Sequence, residues 1–194
     1  MQLSEITFVI PTAKDEVKTL ESIPSECTVI VRRDDSQGKA RNAGVYESKT
    51  KWIAFADDDI KFNKVFLDFV LQLADKNKIV GLQGYYPSPW LISRFMFFHR
   101  SVFETIGPLK EVRHGEETEW LIRAGKAGYK LIGLPREGVY HYPHSKATNK
   151  NEFKNLIWLL WLHPDLITRA IKTVVNKMLK SSDDSEYVTN YKYH

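Results

Sequence analysis

Three consecutive aspartates, Asp57, Asp58 and Asp59, close the short apolar run Trp52-Ile53-Ala54-Phe55-Ala56. The run reads as a buried strand, so three carboxylates gather at its carboxyl end. Like charges at that spacing raise one another's pKa unless a cation shares them. A hard divalent ion that bridges to substrate phosphates suits such a cluster; a solvated acidic turn is the plainer alternative. Three more constellations accompany it. Gly38-Lys39-Ala40-Arg41-Asn42-Ala43-Gly44 sets two cations two residues apart where a helix begins, and free N–H groups at a helix start also attract anions. His114-Gly115-Glu116-Glu117-Thr118-Glu119 loads acids into the first turn of another helix. There they complement the helix dipole, and there a catalytic base could be held in fixed geometry. Val139-Tyr140-His141-Tyr142-Pro143-His144 ends a strand with two histidines, either of which could supply a neutral nitrogen to the same ion.

The elements that must position these groups alternate. Ile6 to Ile10 reads as a strand stopped by Pro11, Asp15 to Ser22 as a short helix, and Cys27 to Val31 as a second strand. Gly38 to Ser48 reads as a helix and Trp52 to Ala56 as the third strand. Asn63 then caps a helix carrying Val65, Phe66, Phe69, Val70 and Leu73, and Ile79 to Leu82 is the fourth strand. Alternation of this kind implies crossover units and a mostly parallel sheet, which binds ligands beyond the carboxyl ends of its strands. Pro11, Arg32 to Gln37 and the Asp triplet all fall on that rim. Beyond the loop Tyr85 to Trp90, Leu91 to Phe98 reads as a strand and Ser101 to Ile106 as a helix. Glu116 to Ala127 is a helix ended by Gly128, and Tyr129 to Leu134 and Gly138 to Tyr142 are strands.

Composition bounds the function. The chain has 194 residues, 43% of them apolar, with 28 basic and 24 acidic side chains for a net charge of +4. That balance fits an anionic substrate or an anionic membrane surface and is too weak to imply nucleic acid. A single cysteine, Cys27, excludes a disulfide framework. The longest apolar run, Leu156 to Leu162, is seven residues and too short to cross a bilayer. With no leader-like pattern before the first strand, the expected location is the cytoplasm, with peripheral contact at a membrane surface as an added option.

Taken in order, these segments resemble the family 2-type glycosyltransferases of the GT-A fold. Thr7-Phe8-Val9-Ile10-Pro11-Thr12 looks like their opening strand and nucleotide-contacting turn, and Gly38 to Gly44 resembles their "G-x-A-x-A-R-N-x-G" helix. Ile53 to Asp59 is similar to their strand ending in the DxD metal motif. Phe97 to Gly107 looks like their "R-x-x-F-x-x-x-G" segment, Gly115 to Arg123 their "G-E-D-T-E-L-x-x-R" motif, and Val139-Tyr140-His141 the late histidine of many members. The likeness covers residues 6 to about 145.

The resemblance implies an α/β, Rossmann-like catalytic domain over 1–149, with a nucleotide-binding half (1–84) and an acceptor half (85–149). It implies transfer of a sugar from a UDP- or GDP-linked donor to a hydroxyl of a glycan or lipid-linked acceptor, with inversion. Asp57 and Asp59 would hold Mg²⁺ or Mn²⁺ with His141, and Asp58 would contact the ribose or share the metal. Pro11 and Thr12 would line the base pocket, Asp35 would meet the base, and Lys39 and Arg41 would contact the diphosphate and ribose. Glu117 stands where the family has its catalytic base. Three departures are visible: the base position is Glu rather than Asp, leaving Glu116 and Glu119 as competitors; Arg32-Arg33-Asp34-Asp35-Ser36 follows the second strand, leaving Asp34 as an alternative to Asp35; and the stretch before the "ARN" helix is short.

Within an expected amphipathic helical appendage over 150–180, Pro164 divides Glu152 to Lys180 into two expected helices. The second bears an apolar stripe from Leu166 to Leu179 and a basic face of Arg169, Lys172, Lys177 and Lys180. It suits packing on the catalytic domain, a homodimer contact, or a membrane interface with Trp158 and Trp161 nearby. A polar tail, 181–194, follows. A nucleotidyltransferase, which also uses acids at strand ends, is the enzymatic alternative; Pro11-Thr12-Ala13-Lys14 stands where its glycine-rich loop would be. A noncatalytic sugar-nucleotide or glycan-binding module is the third reading.

Overall fold

The computed structural model describes residues 1–83, 91–112, 115–143 and 157–166. The chain forms two compact units, one of Met1–Gln83 with Pro89–His144 and one of Gly84–Ser88 with Ser145–His194. The first holds a six-stranded sheet built from β1 (Ile6–Pro11), β2 (Thr28–Arg32), β3 (Trp52–Ala56), β5 (Lys78–Gln83), β6 (Leu91–His99) and β7 (Lys130–Leu134), in the order β2-β1-β3-β6-β5-β7. β1 pairs in parallel with both β2 and β3, and β5 in parallel with β7. β6 runs antiparallel between β3 and β5, the one reversed strand of this sheet. β1 is buried along its whole length, which is why its sequence is a near-continuous apolar run rather than an alternating one.

Alternation along the strands still sorts side chains onto two faces. Phe8, Ile10, Ala54, Phe95 and Phe97 pack in one cluster with Phe66, Leu67 and Val70 of α2 (Lys64–Gln72). Val9, Ile53, Phe55 and Phe98 pack in the other with Val45 of α1 (Gln37–Glu47), Val102 and Phe103 of α3 (Arg100–Ile106), and Trp120, Leu121 and Ala124 of α4 (Glu116–Lys126). Asn63 caps α2 as expected, its side chain accepting from the Phe66 N–H. Val65, one of the apolar residues of that helix, is 75% exposed. Phe66 takes the inward position, because the buried side of a helix follows its 3.6-residue period and not apolarity alone.

One expectation is corrected, and one strand is new. The helix over Asp15 to Ser22 is only a 3-10 turn, Lys18–Ser22. A strand not anticipated at all, β4 (Ile60–Phe62), starts directly after the Asp triplet and pairs antiparallel with β8 (Val139–His141) as a separate two-stranded sheet. Three-residue strands carry too little periodicity to be read from sequence. In the second unit, residues 157–162 are helical and a 3-10 turn over Pro164–Leu166 follows. The Tyr85 to Trp90 loop, the boundary at 149, most of the amphipathic stripe, the tail, His114 and His144 lie outside the described residues. No described helix is long and apolar enough to cross a membrane.

Candidate active site

Because β1, β2 and β3 are parallel, Pro11, Arg32 and Ala56 end on one edge of the sheet. The Asp triplet turns over that edge and is tied down at several backbone atoms. The Asp57 N–H donates to the Arg94 carbonyl at 3.0 Å. The fully buried Thr19 hydroxyl lies 2.6 Å from the Asp57 carbonyl oxygen and accepts from the Ile60 N–H at 3.0 Å. Pairing of β4 with β8 sets His141 opposite Ile60, and the Tyr142 N–H donates to the Asp59 carbonyl at 2.9 Å. His141 Nε2 thereby sits 3.2 Å from Asp59 Oδ1.

The result divides the triplet. One ligand atom each from Asp57, Asp59 and His141 lie within 4.8 Å of one another, a group that could hold a metal ion. Two hard carboxylate oxygens and one imidazole nitrogen fit Mn²⁺ or Mg²⁺ better than a thiophilic metal. Asp58 turns away from them towards the segment after β1. It is buried, accepts a short hydrogen bond from the Thr12 hydroxyl, and pairs with Lys14 Nζ at 2.9 Å. Lys14 Nζ also reaches Asp59 Oδ2 at 3.2 Å. These two carboxylates, with Asp58 foremost, hold the ammonium pKa above its ordinary value.

Arg41 has no exposed surface. Its guanidinium lies 3.1 Å from Asp57 Oδ1 and 3.3 Å from Glu116 Oε1, above the Phe55 ring. Arg41 thus joins the Asp triplet to the first turn of α4. Desolvation raises the pKa of Asp57, which keeps 21% of its side chain exposed, and the charges of Asp59 and Glu117 add to the rise against the pull of Arg41. Glu116 is buried, and its carboxyl is pushed up to about 7, first by burial, then by Glu117, with Arg41 opposing. Glu116 Oε2 and Arg41 Nε are buried without hydrogen-bond partners. Glu119 is also buried but is gripped by Arg123 at 2.8 and 2.9 Å. Of the three glutamates, Glu117 is the one left partly exposed, close enough to Asp57 and Glu116 to act on both electrostatically.

The remaining residues of the "ARN" segment hold the site's walls. Asn42 pairs with Leu109 through both side-chain atoms, at 2.9 Å each. Gly44 lies so close to β1 that an added Cβ would stand 2.3 Å from Val9 Cγ1. Arg100 caps α1 by donating to the carbonyls of Val45 and Ser48, at 2.7 Å to each. Gly115 enters α4 at φ 85, a left-handed conformation that glycine adopts without steric cost. Lys39 is half exposed and paired with Asp35 at 3.0 Å, and the Asp35 side chain is 92% exposed. Asp34 is held by Arg32 at 2.9 Å, which lowers its carboxyl pKa.

Sequence reasoning did not single out Lys14 or Thr19. Lys14 stands three residues past Pro11, at the carboxyl end of β1, and that position was a usable signal. Thr19 lay in a segment read as helix, with no local mark of its role.

The described fold is that of the GT-A glycosyltransferases. The structure is similar to the mannosyltransferase PcManGT of Pyrobaculum calidifontis, solved with GDP-Man and Mn²⁺, at a TM-score of 0.60 and 12% identity over 92% of this chain and 76% of that one. It is similar also to a Drosophila β1,4-galactosyltransferase 7 variant in complex with manganese, UDP-Gal and xylobiose (TM-score 0.56, 12% identity, 76% of this chain, 78% of that one). A third likeness is to TarS of S. aureus with UDP-GlcNAc (TM-score 0.55, 12% identity, 75% of this chain, 60% of that one). No curated protein sequence matches significantly. The profile of Glycosyl transferase family 2 matches residues 12–125, more than half of the chain, and the protein belongs to that family.

Proposed function

We propose that this glycosyltransferase moves a sugar from a UDP- or GDP-linked donor to a hydroxyl of a glycan or lipid-linked acceptor, inverting the anomeric configuration. The observation that carries the reading is the meeting of Asp57, Asp59 and His141 at the sheet rim, joined through Arg41 to the turn that presents Glu117. Asp57, Asp59 and His141 would hold Mn²⁺ or Mg²⁺, and the ion, when bound, neutralises charge developing on the leaving diphosphate. The complexes of the structural neighbours with Mn²⁺ and nucleotide sugars support that choice.

Glu117 is the base that removes the acceptor proton. It is partly open to solvent, whereas Glu116 is buried against Arg41 and Glu119 is held by Arg123. Arg41 has both ends committed, so its part is to hold Asp57 and orient α4, while Lys39 remains able to meet the donor. Pro11, Thr12 and Asp35 line the nucleotide side of the rim. The test is nucleoside diphosphate release from UDP- and GDP-sugars with and without Mn²⁺. Release is expected to need Mn²⁺, and Glu117→Gln is expected to abolish it while nucleotide binding persists. Binding without release by the wild-type protein would make it a noncatalytic module, and full activity in Glu117→Gln would move the base elsewhere.

A further inference from the structure

Lys14 has a place in this site that the functional reading above does not use. Its backbone N–H is anchored to the Thr12 hydroxyl at 2.9 Å, and that hydroxyl itself donates to Asp58. The segment after β1 is thereby tied to the Asp triplet. The ammonium bridges Asp58 Oδ1 and Asp59 Oδ2 at 2.9 and 3.2 Å. The two oxygens of Asp59 are therefore divided: Oδ1 faces His141 and the metal-binding group, and Oδ2 faces Lys14. With 56% of its side chain exposed, Lys14 lies on the open side of the carboxylates and has room to leave them. Arg41, which also contacts the triplet, is by contrast fully buried and held between two carboxylates.

We propose that Lys14 is a resident cation of the acidic rim. Its ammonium offsets the charge of Asp58 and Asp59 before a divalent ion arrives, so it weakens metal binding to the nucleotide-free protein. When ion and nucleoside diphosphate arrive together, the ammonium turns from Asp59 to the diphosphate. The physical reason is charge. A divalent ion sharing Asp59 with an ammonium meets a like charge at close range, and this repulsion is only partly screened at a half-buried rim. A diphosphate supplies the negative charge that lets both cations stay. Metal and nucleotide then bind cooperatively, and by linkage each raises the affinity of the other by the same factor.

The inference rests on the metal reading given above, and the experiment separates the two. Mn²⁺ binding is followed by electron paramagnetic resonance of free Mn²⁺ in wild type, Lys14→Met and Asp59→Asn, each without nucleotide and with saturating UDP or GDP. Thermal unfolding in EDTA confirms that each variant is folded. Lys14→Met keeps the aliphatic stem and removes the charge. Nucleotide-free Lys14→Met is expected to bind Mn²⁺ about tenfold or more tightly than wild type, the scale of one screened like charge. The gain in Mn²⁺ affinity on adding nucleotide is expected to shrink by a similar factor. Mn²⁺ affinity equal to or weaker than wild type in nucleotide-free Lys14→Met overturns the inference and leaves Lys14 as a brace for Asp58 and Asp59. If wild type and Lys14→Met bind no more Mn²⁺ than Asp59→Asn, with or without nucleotide, the metal reading itself fails and the inference falls with it.

Discussion

Replacing Arg41 by methionine is expected to destabilise the fold in a way that depends on pH and is relieved by a second substitution. Arg41 is wholly buried and faces Asp57 and Glu116, the latter also buried. Removing one partner of a buried ion pair leaves the other charge uncompensated and typically costs about 3–5 kcal/mol. Glu116 sets the pH dependence. Its carboxyl is raised from 4.5 to about 7 in the folded protein, which corresponds to about 3 kcal/mol. With a folded pKa above the unfolded one, the folded state binds more protons. The stability linked to Glu116 is thus fully present below pH 4.5 and is lost as pH rises through 7. Without Arg41 the attraction opposing that rise is gone, so Glu116 protonates more readily still and its ionisation at higher pH costs more.

Denaturant unfolding in EDTA at about pH 5 and pH 8, chosen to bracket the Glu116 transition, is the assay. Arg41→Met is expected to lose more stability relative to wild type at the higher pH. The double variant Arg41→Met/Glu116→Gln is expected to recover about 1–3 kcal/mol over Arg41→Met there, the range of coupling for groups in contact, and much less at the lower pH. A double variant no more stable than Arg41→Met at the higher pH would refute the reasoning, as would an Arg41→Met penalty equal at both.

Gly44→Ala is expected to cost about 1–3 kcal/mol, because the added methyl enters the side chain of Val9 in a filled core; a lower melting temperature by circular dichroism checks this. Thr19→Val is expected to cost about 1–3 kcal/mol by leaving the Ile60 N–H without its acceptor, and to weaken Mn²⁺ binding by loosening the turn that carries Asp57. Denaturation and a Mn²⁺ titration test the two effects separately. His141→Ala is expected to weaken Mn²⁺ binding at least about tenfold, since even outer partners of a metal site are worth about 10–100-fold; titration of Mn²⁺ against the folded variant decides.

The elements were legible because their signals are local. β1 and β3 are near-continuous apolar runs in a sheet covered on both faces, α2 begins at a capping asparagine, and α4 starts at a glycine and carries its apolar residues at helical spacing. The order of those elements placed the carboxyl ends of three parallel strands on one rim, and with them the Asp triplet. The antiparallel setting of β6 and the pairing of β4 with β8 were not legible, because strand partners are chosen by contacts across the chain rather than by residues nearby.

The same limit applies within the site. The residues alone named Asp57, Asp58 and Asp59 together and left Glu116, Glu117 and Glu119 as rivals. Tertiary structure divides them: Asp58 goes to Thr12 and Lys14, Asp57 and Asp59 to the group with His141, Glu116 to Arg41, and Glu119 to Arg123. Sequence determined which ionisable groups this protein brings to the end of its sheet. Only folding decided how each of them is paired and how deeply it is buried, because a carboxylate's surroundings are set mostly by partners distant in the chain: 75 residues separate Arg41 from Glu116.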